Sequence, residues 1–131
     1  GFFKKIFYRI SFANIFCVAA ALALSSFVLQ IVYGTADPNI ESVYLVLVSG
    51  CFVTIPSMLM GYPFLAAMGH PLYTNWTIVI TSIVHITGLF ILYLCSALDT
   101  TTVAMMVVFS ESLLICFRAA GIRRFHLFKT K

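Results

Sequence analysis

The chain has 131 residues, 62% of them hydrophobic and 9% charged, and its mean hydropathy is +1.06. That balance excludes a soluble globular domain and predicts an all-α integral membrane protein. The net charge of +4 does not point to nucleic acid, because all eight Lys and Arg stand at the two ends.

Residues 1–11 alternate Phe2, Phe3, Ile6, Phe7 and Ile10 with Lys4, Lys5, Tyr8 and Arg9 at helical spacing. This period suits either a helix lying at the cytoplasmic interface or the flank of the first span. The first span is expected over about 12–32, with Ala19, Ala20, Ala21 and Ala23 giving a smooth patch for close helix approach. Tyr33-Gly34 ends it, and a short turn with Asp37, Pro38 and Glu41 but no cation reads as external.

The second span is expected over about 42–68 and is interrupted by Gly50, Pro56, Gly61 and Pro63. Each proline removes a backbone donor and clashes with the preceding turn, so Pro56 and Pro63 are the candidate helix breaks. Gly69-His70-Pro71 turns the chain on the cytoplasmic side. The third span, about 76–98, is entered through Asn75 and Trp76 and carries His85 near its midpoint. After a short external turn at Asp99-Thr100, the fourth span covers about 101–117 and holds a single carboxylate, Glu111, between Ser110 and Ser112. A basic tail, 118–131, follows with Arg118, Arg123, Arg124, Lys129 and Lys131. Basic ends and acidic or neutral outer loops predict four spans with both termini cytoplasmic, in one helical domain.

An acid at mid-membrane depth is costly and faces protein or water. Counted from the turn at Asp99-Thr100, His85 lies about 14 residues back and Glu111 about 11 forward, so their depths differ by about 4–5 Å. Spans joined so tightly are antiparallel neighbours, and the two side chains are expected to meet or to face one cavity. Such a pair can hold or pass a proton, or accept hydrogen bonds from hydroxyl-rich ligands. Alternatively each satisfies a Ser or Thr on the neighbouring helix, with Ser110, Ser112, Thr81, Ser82 and Thr87 within the two spans. Cys17, Cys51, Cys95 and Cys116 lie far apart in apolar runs and have no metal-ligand spacing, so neither metal nor cofactor is expected. No nucleophile–base arrangement or phosphate-cradling Gly loop is present, and an enzyme is not expected.

The order of features resembles a known family. Ile31-Val32-Tyr33-Gly34 leads through an acidic turn to a Leu/Val-rich span. That span runs into Pro63-Phe64-Leu65-Ala66-Ala67-Met68-Gly69-His70, and the last span carries Ser110-Glu111 before the basic tail. This is similar to the C-terminal region of bacterial polysaccharide flippases of the O-antigen type, in the multidrug/oligosaccharidyl-lipid/polysaccharide exporter superfamily. Tyr33-Gly34 resembles the end of the ninth of about twelve helices. Leu65–Gly69 resembles the close of the tenth, and Ser110-Glu111 the Ser-Glu of the last. The entry Asp99-Thr100-Thr101-Thr102 departs from the family's Gly-rich one.

The resemblance implies part of one lobe of an alternating-access transporter in the bacterial inner membrane. Its cargo would be an oligosaccharide on undecaprenyl diphosphate, moved during surface polysaccharide biosynthesis. The partners implied are the bilayer, that lipid-linked oligosaccharide and the transporter's remaining helices, with Glu111 and His85 as pathway candidates. Because the cations of this chain stand at its ends, any cation in the cavity would come from the other helices. Two further readings fit the same residues: a complete small four-span protein handling polyprenyl-linked sugars, and a structural membrane subunit with Glu111 and His85 as interhelix contacts.

Overall fold

A computed structural model describes residues 2–34 and 37–125. The chain forms α1 (Phe2–Ala23), α2 (Ser25–Tyr33), α3 (Pro38–Met60), a π-helical segment (Gly61–Ala66), α4 (Pro71–Leu94) and α5 (Thr100–Arg124). Among the described residues, four stretches are long and apolar enough to cross a membrane: Phe2–Ala23, Pro38–Ala66, Pro71–Leu94 and Thr100–Arg124. At most 17% of the apolar window of any one of them is buried within the chain. The remaining apolar surface requires an apolar environment, which identifies a multi-pass membrane protein.

Residues 2–11 continue into α1 without a break, and α2 follows after one irregular residue, Leu24. The hydrogen-bond ladder still passes through it, from Leu24 N–H to the Ala20 carbonyl and from Val28 N–H to the Leu24 carbonyl, at 3.0 and 2.9 Å. Asp37 caps α3 by accepting from the Asn39 N–H at 2.9 Å, and Pro38 occupies the first helical turn, where its missing donor costs nothing.

Among the described residues, three helix ends are closed by a residue in the left-handed region, whose conformation lets the next N–H groups reach back to open carbonyls. Gly34 has φ 71° and Gly69 has φ 91°. At the end of α4 the residue is Ser96, φ 55°, with Ala97 N–H on the Leu92 carbonyl and Ser96 N–H on the Tyr93 carbonyl, both at 3.0 Å. The α4–α5 turn therefore begins at Cys95, earlier than the sequence led us to expect.

The extensive interfaces run from α1 to α3, from α3 to α5 and from α5 to α4, and the α3–α5 interface is the largest. Side-chain bonds fix the first of these: Asn14 Nδ2 donates to the Cys51 carbonyl at 3.0 Å, and Tyr44 Oη to the Ala21 carbonyl at 3.1 Å. The buried apolar core is small and sits at one end, where Phe64 and Leu65 of the π segment meet Ile122 of α5. Phe3 stacks on Phe64 with ring centroids 3.9 Å apart. Toward the middle and the opposite end the helices leave grooves between them.

Candidate functional site

The site is built by α4 and α5. On α4, Thr81 and His85 lie one turn apart, and on α5 Ser110 and Glu111 are adjacent, so side chains from both helices reach one groove. The groove has a volume of about 450 Å³. Its apolar walls are Ile78, Ile86, Val107 and Leu114, and its polar groups are Thr81, Ser82, His85, Ser110 and Glu111.

His85 Nδ1 lies 2.8 Å from Ser110 Oγ. Ser110 Oγ also lies 2.7 Å from the Met106 carbonyl, which can only accept. The one hydroxyl proton of Ser110 is thus committed to Met106, and toward His85 its oxygen must accept. Nδ1 therefore carries hydrogen, and in the neutral ring Nε2 is left as the acceptor. Thr81 spends its hydroxyl on its own helix, donating to the Thr77 carbonyl at 2.7 Å. No hydrogen bond to the Glu111 carboxylate forms among the described residues. The groove thus holds one imidazole nitrogen, one carboxylate and the Ser82 hydroxyl with open valences, between apolar walls. The imidazole and the carboxylate can take up a proton, or accept from a ligand's hydroxyl or amine groups.

His85 and Glu111 are thus brought to one groove, although the direct partner of His85 is Ser110. Pro56 and Pro63 lie elsewhere. Pro56 sits inside α3, whereas the departure from α-helical geometry begins at Gly61, with ψ −112°, and its π segment includes Pro63. Tyr62 in this segment donates a hydrogen bond to Asn75 Oδ1 of α4.

One residue has a different place from the one its sequence position suggests. Arg118 falls at the start of the basic tail by composition, but α5 continues to Arg124 and Arg118 is only 4% exposed. Its Nη1 donates to the Ser57 carbonyl at 2.6 Å and lies 3.3 Å from Ser57 Oγ, and Ser57 is fully buried. Its Nε is buried and has no hydrogen-bond partner among the described residues. Glu111, seven residues earlier and so on nearly the same face of α5, attracts it electrostatically.

The space for the guanidinium is provided by Gly61: a Cβ there would stand 2.8 Å from Arg118 Cζ and 3.0 Å from both terminal nitrogens. The only sequence signal is the pairing of a glycine in a broken span with an arginine near the end of another. Their contact is set by interhelix register and is not visible in local spacing. Among the described residues no group of three or more His, Cys, Asp or Glu could hold a metal ion. Comparison with known proteins finds no matching family model, curated protein or solved structure.

Proposed function

We propose that this chain is part of a membrane transporter of lipid-linked oligosaccharides, and that the α4–α5 groove forms part of the wall facing the cargo path. The observation that carries this reading is the His85–Ser110–Glu111 cluster. It places a carboxylate and an imidazole acceptor in an otherwise apolar groove between two membrane-length helices. Ionisable groups at that depth are expensive, and the usual return is a path for polar cargo or protons. Within this reading Glu111 and His85 Nε2 receive hydroxyl groups of the cargo or a coupled proton. The resemblance of the chain's features to the C-terminal region of polysaccharide flippases supports an undecaprenyl-diphosphate-linked repeat unit as cargo and the bacterial inner membrane as the location.

The test is export of surface polysaccharide by the product of the native reading frame carrying Glu111→Gln or Glu111→Ala. The transport reading expects normal amounts of both variants in the membrane and loss of export by both. A second reading, in which the cluster only ties α4 to α5, is favoured by the direct His85–Ser110 bond. It expects Glu111→Gln to export as wild type and Glu111→Ala to lower the amount of folded protein.

A further inference from the structure

An unassigned pocket with both polar and aliphatic lining lies at the opposite end from the buried core. A pocket of about 440 Å³ opens between α2, α3 and α5 at the end of the chain that carries Asp37, Glu41 and Asp99. It has a polarity gradient. Its floor and walls are aliphatic, with Leu29, Val43, Leu47 and Val48. Its rim is polar, with Tyr33, Asn39, Asp99, Thr100 and Thr101. From Asn39 at the rim to Val48 at the floor, α3 advances nine residues, a depth of about 13 Å.

The hydroxyls of Tyr33, Thr100 and Thr101 and the side-chain amide of Asn39 make no hydrogen bond among the described residues. Tyr44, by contrast, is held in the wall by its bond to the Ala21 carbonyl. Among the described residues no Lys or Arg lines the pocket, and the one charged lining group is the carboxylate of Asp99.

We propose that this pocket binds an amphiphile with an uncharged, hydroxyl-rich head group, its chain running inward between α3 and α2. The aliphatic depth suits a slender apolar chain, and the rim supplies several uncharged groups that both donate and accept, which is what vicinal hydroxyls require. A phosphate or sulfate head would meet no cation among the lining residues to pair with. A cationic head is not called for either, since Asp99 caps α5 and the partial positive charge of that helix end already complements it. The site is separate from the His85–Glu111 groove and does not depend on the transport reading.

The test uses the product of the native reading frame and probes that share one dodecyl chain but differ in head group. They are dodecyl maltoside, dodecylphosphocholine, dodecyl sulfate and dodecyltrimethylammonium, with free maltose added. Bound probe is counted by native mass spectrometry after release from a detergent with a different chain. We expect one retained dodecyl maltoside, in preference to the three charged or zwitterionic probes. Retention should fall about tenfold when Asn39→Ala and Thr101→Val strip two neutral hydrogen bonds from the rim. It should also fall with Leu47→Trp, which fills the depth.

Maltose binding with the same dependence on the rim variant would make the head group sufficient and a free sugar the source. Absence of maltose binding would make the source a glycolipid. Thermal melting identifies any variant that fails to fold, and the rim variant, which alters no floor residue, then decides the matter alone. Equal retention of all four probes, preference for a charged head, or retention unchanged by the rim variant would overturn the proposal.

Discussion

Gly61 and Arg118 should behave as a coupled pair, and the sign of each single substitution follows from the geometry. In Gly61→Ala the new Cβ would lie 2.8 Å from Arg118 Cζ, so the guanidinium must move. The end of an arginine is ordinarily easy to displace, but this one is buried and donates to Ser57 at 2.6 Å. Moving it forfeits a charged hydrogen bond worth about 1.5–3 kcal/mol. Alanine recovers no α-helix propensity in return, because Gly61 has ψ −112°, outside the α-helical region. Arg118→Met has the opposite character. It removes a buried charge and leaves the Ser57 carbonyl still paired with the Gly61 N–H, so the oxygen that loses its partner is the Ser57 hydroxyl, held only at a long 3.3 Å. That variant should lie within about 1 kcal/mol of wild type or be more stable. In the double variant the flexible thioether yields to the new methyl group, and the cost of Gly61→Ala should vanish.

The pairwise coupling should then be about 1.5–3 kcal/mol, measured by equilibrium unfolding in mixed micelles of wild type, the two single variants and the double. Additivity within about 0.5 kcal/mol would refute the reasoning, as would a marked loss of stability in Arg118→Met alone.

Three further outcomes are expected from the helix packing and from the topology that the sequence predicts. Ser110→Ala removes the oxygen that accepts from His85, and should lower stability by about 0.6 kcal/mol, the average for interhelix hydrogen bonds in membranes, with about 1.7 kcal/mol as the ceiling. No loss in unfolding experiments would remove the tautomer assignment. Cysteines placed at Asp37 and Asp99 should react with impermeant reagents from outside the cell, and those at Lys5 and Lys129 only from inside; outside labelling at Lys129 would reject the topology. Gly50→Leu should destabilise the chain by roughly 1–3 kcal/mol, since a Cβ at this buried position already stands 2.9 Å from Val108 Cγ2 across the α3–α5 interface. Wild-type stability of that variant would show that the interface can separate without cost.

The parts legible in the sequence were those carried by local chemistry. Apolar length marked four spans, and Gly34 and Gly69 marked helix ends because glycine enters the left-handed region at no steric cost. Residue counting from one turn brought His85 and Glu111 to the same groove, since antiparallel neighbours with a short connection leave little freedom of register. Ser96 gave no such signal, because a serine in the left-handed region is held by the bonds of the helix end and not by its own preference. The prolines drew attention to α3, but the change in geometry begins at Gly61, where the guanidinium needs the room that a side chain would fill. Arg118 was hidden for the same reason: it ends an apolar run, as a solvated tail residue does, and only packing against Ser57 distinguishes the two.

The central claim, that the His85–Glu111 groove serves transport of a lipid-linked oligosaccharide, is tested most directly in proteoliposomes. The measurement is movement of a fluorescent undecaprenyl-diphosphate oligosaccharide from one leaflet to the other by the purified product of the native reading frame. We expect wild type to translocate it, and Glu111→Gln, equally folded and equally abundant, to lose most of that rate. Translocation by Glu111→Gln at the wild-type rate, or none by the wild type, would contradict the claim.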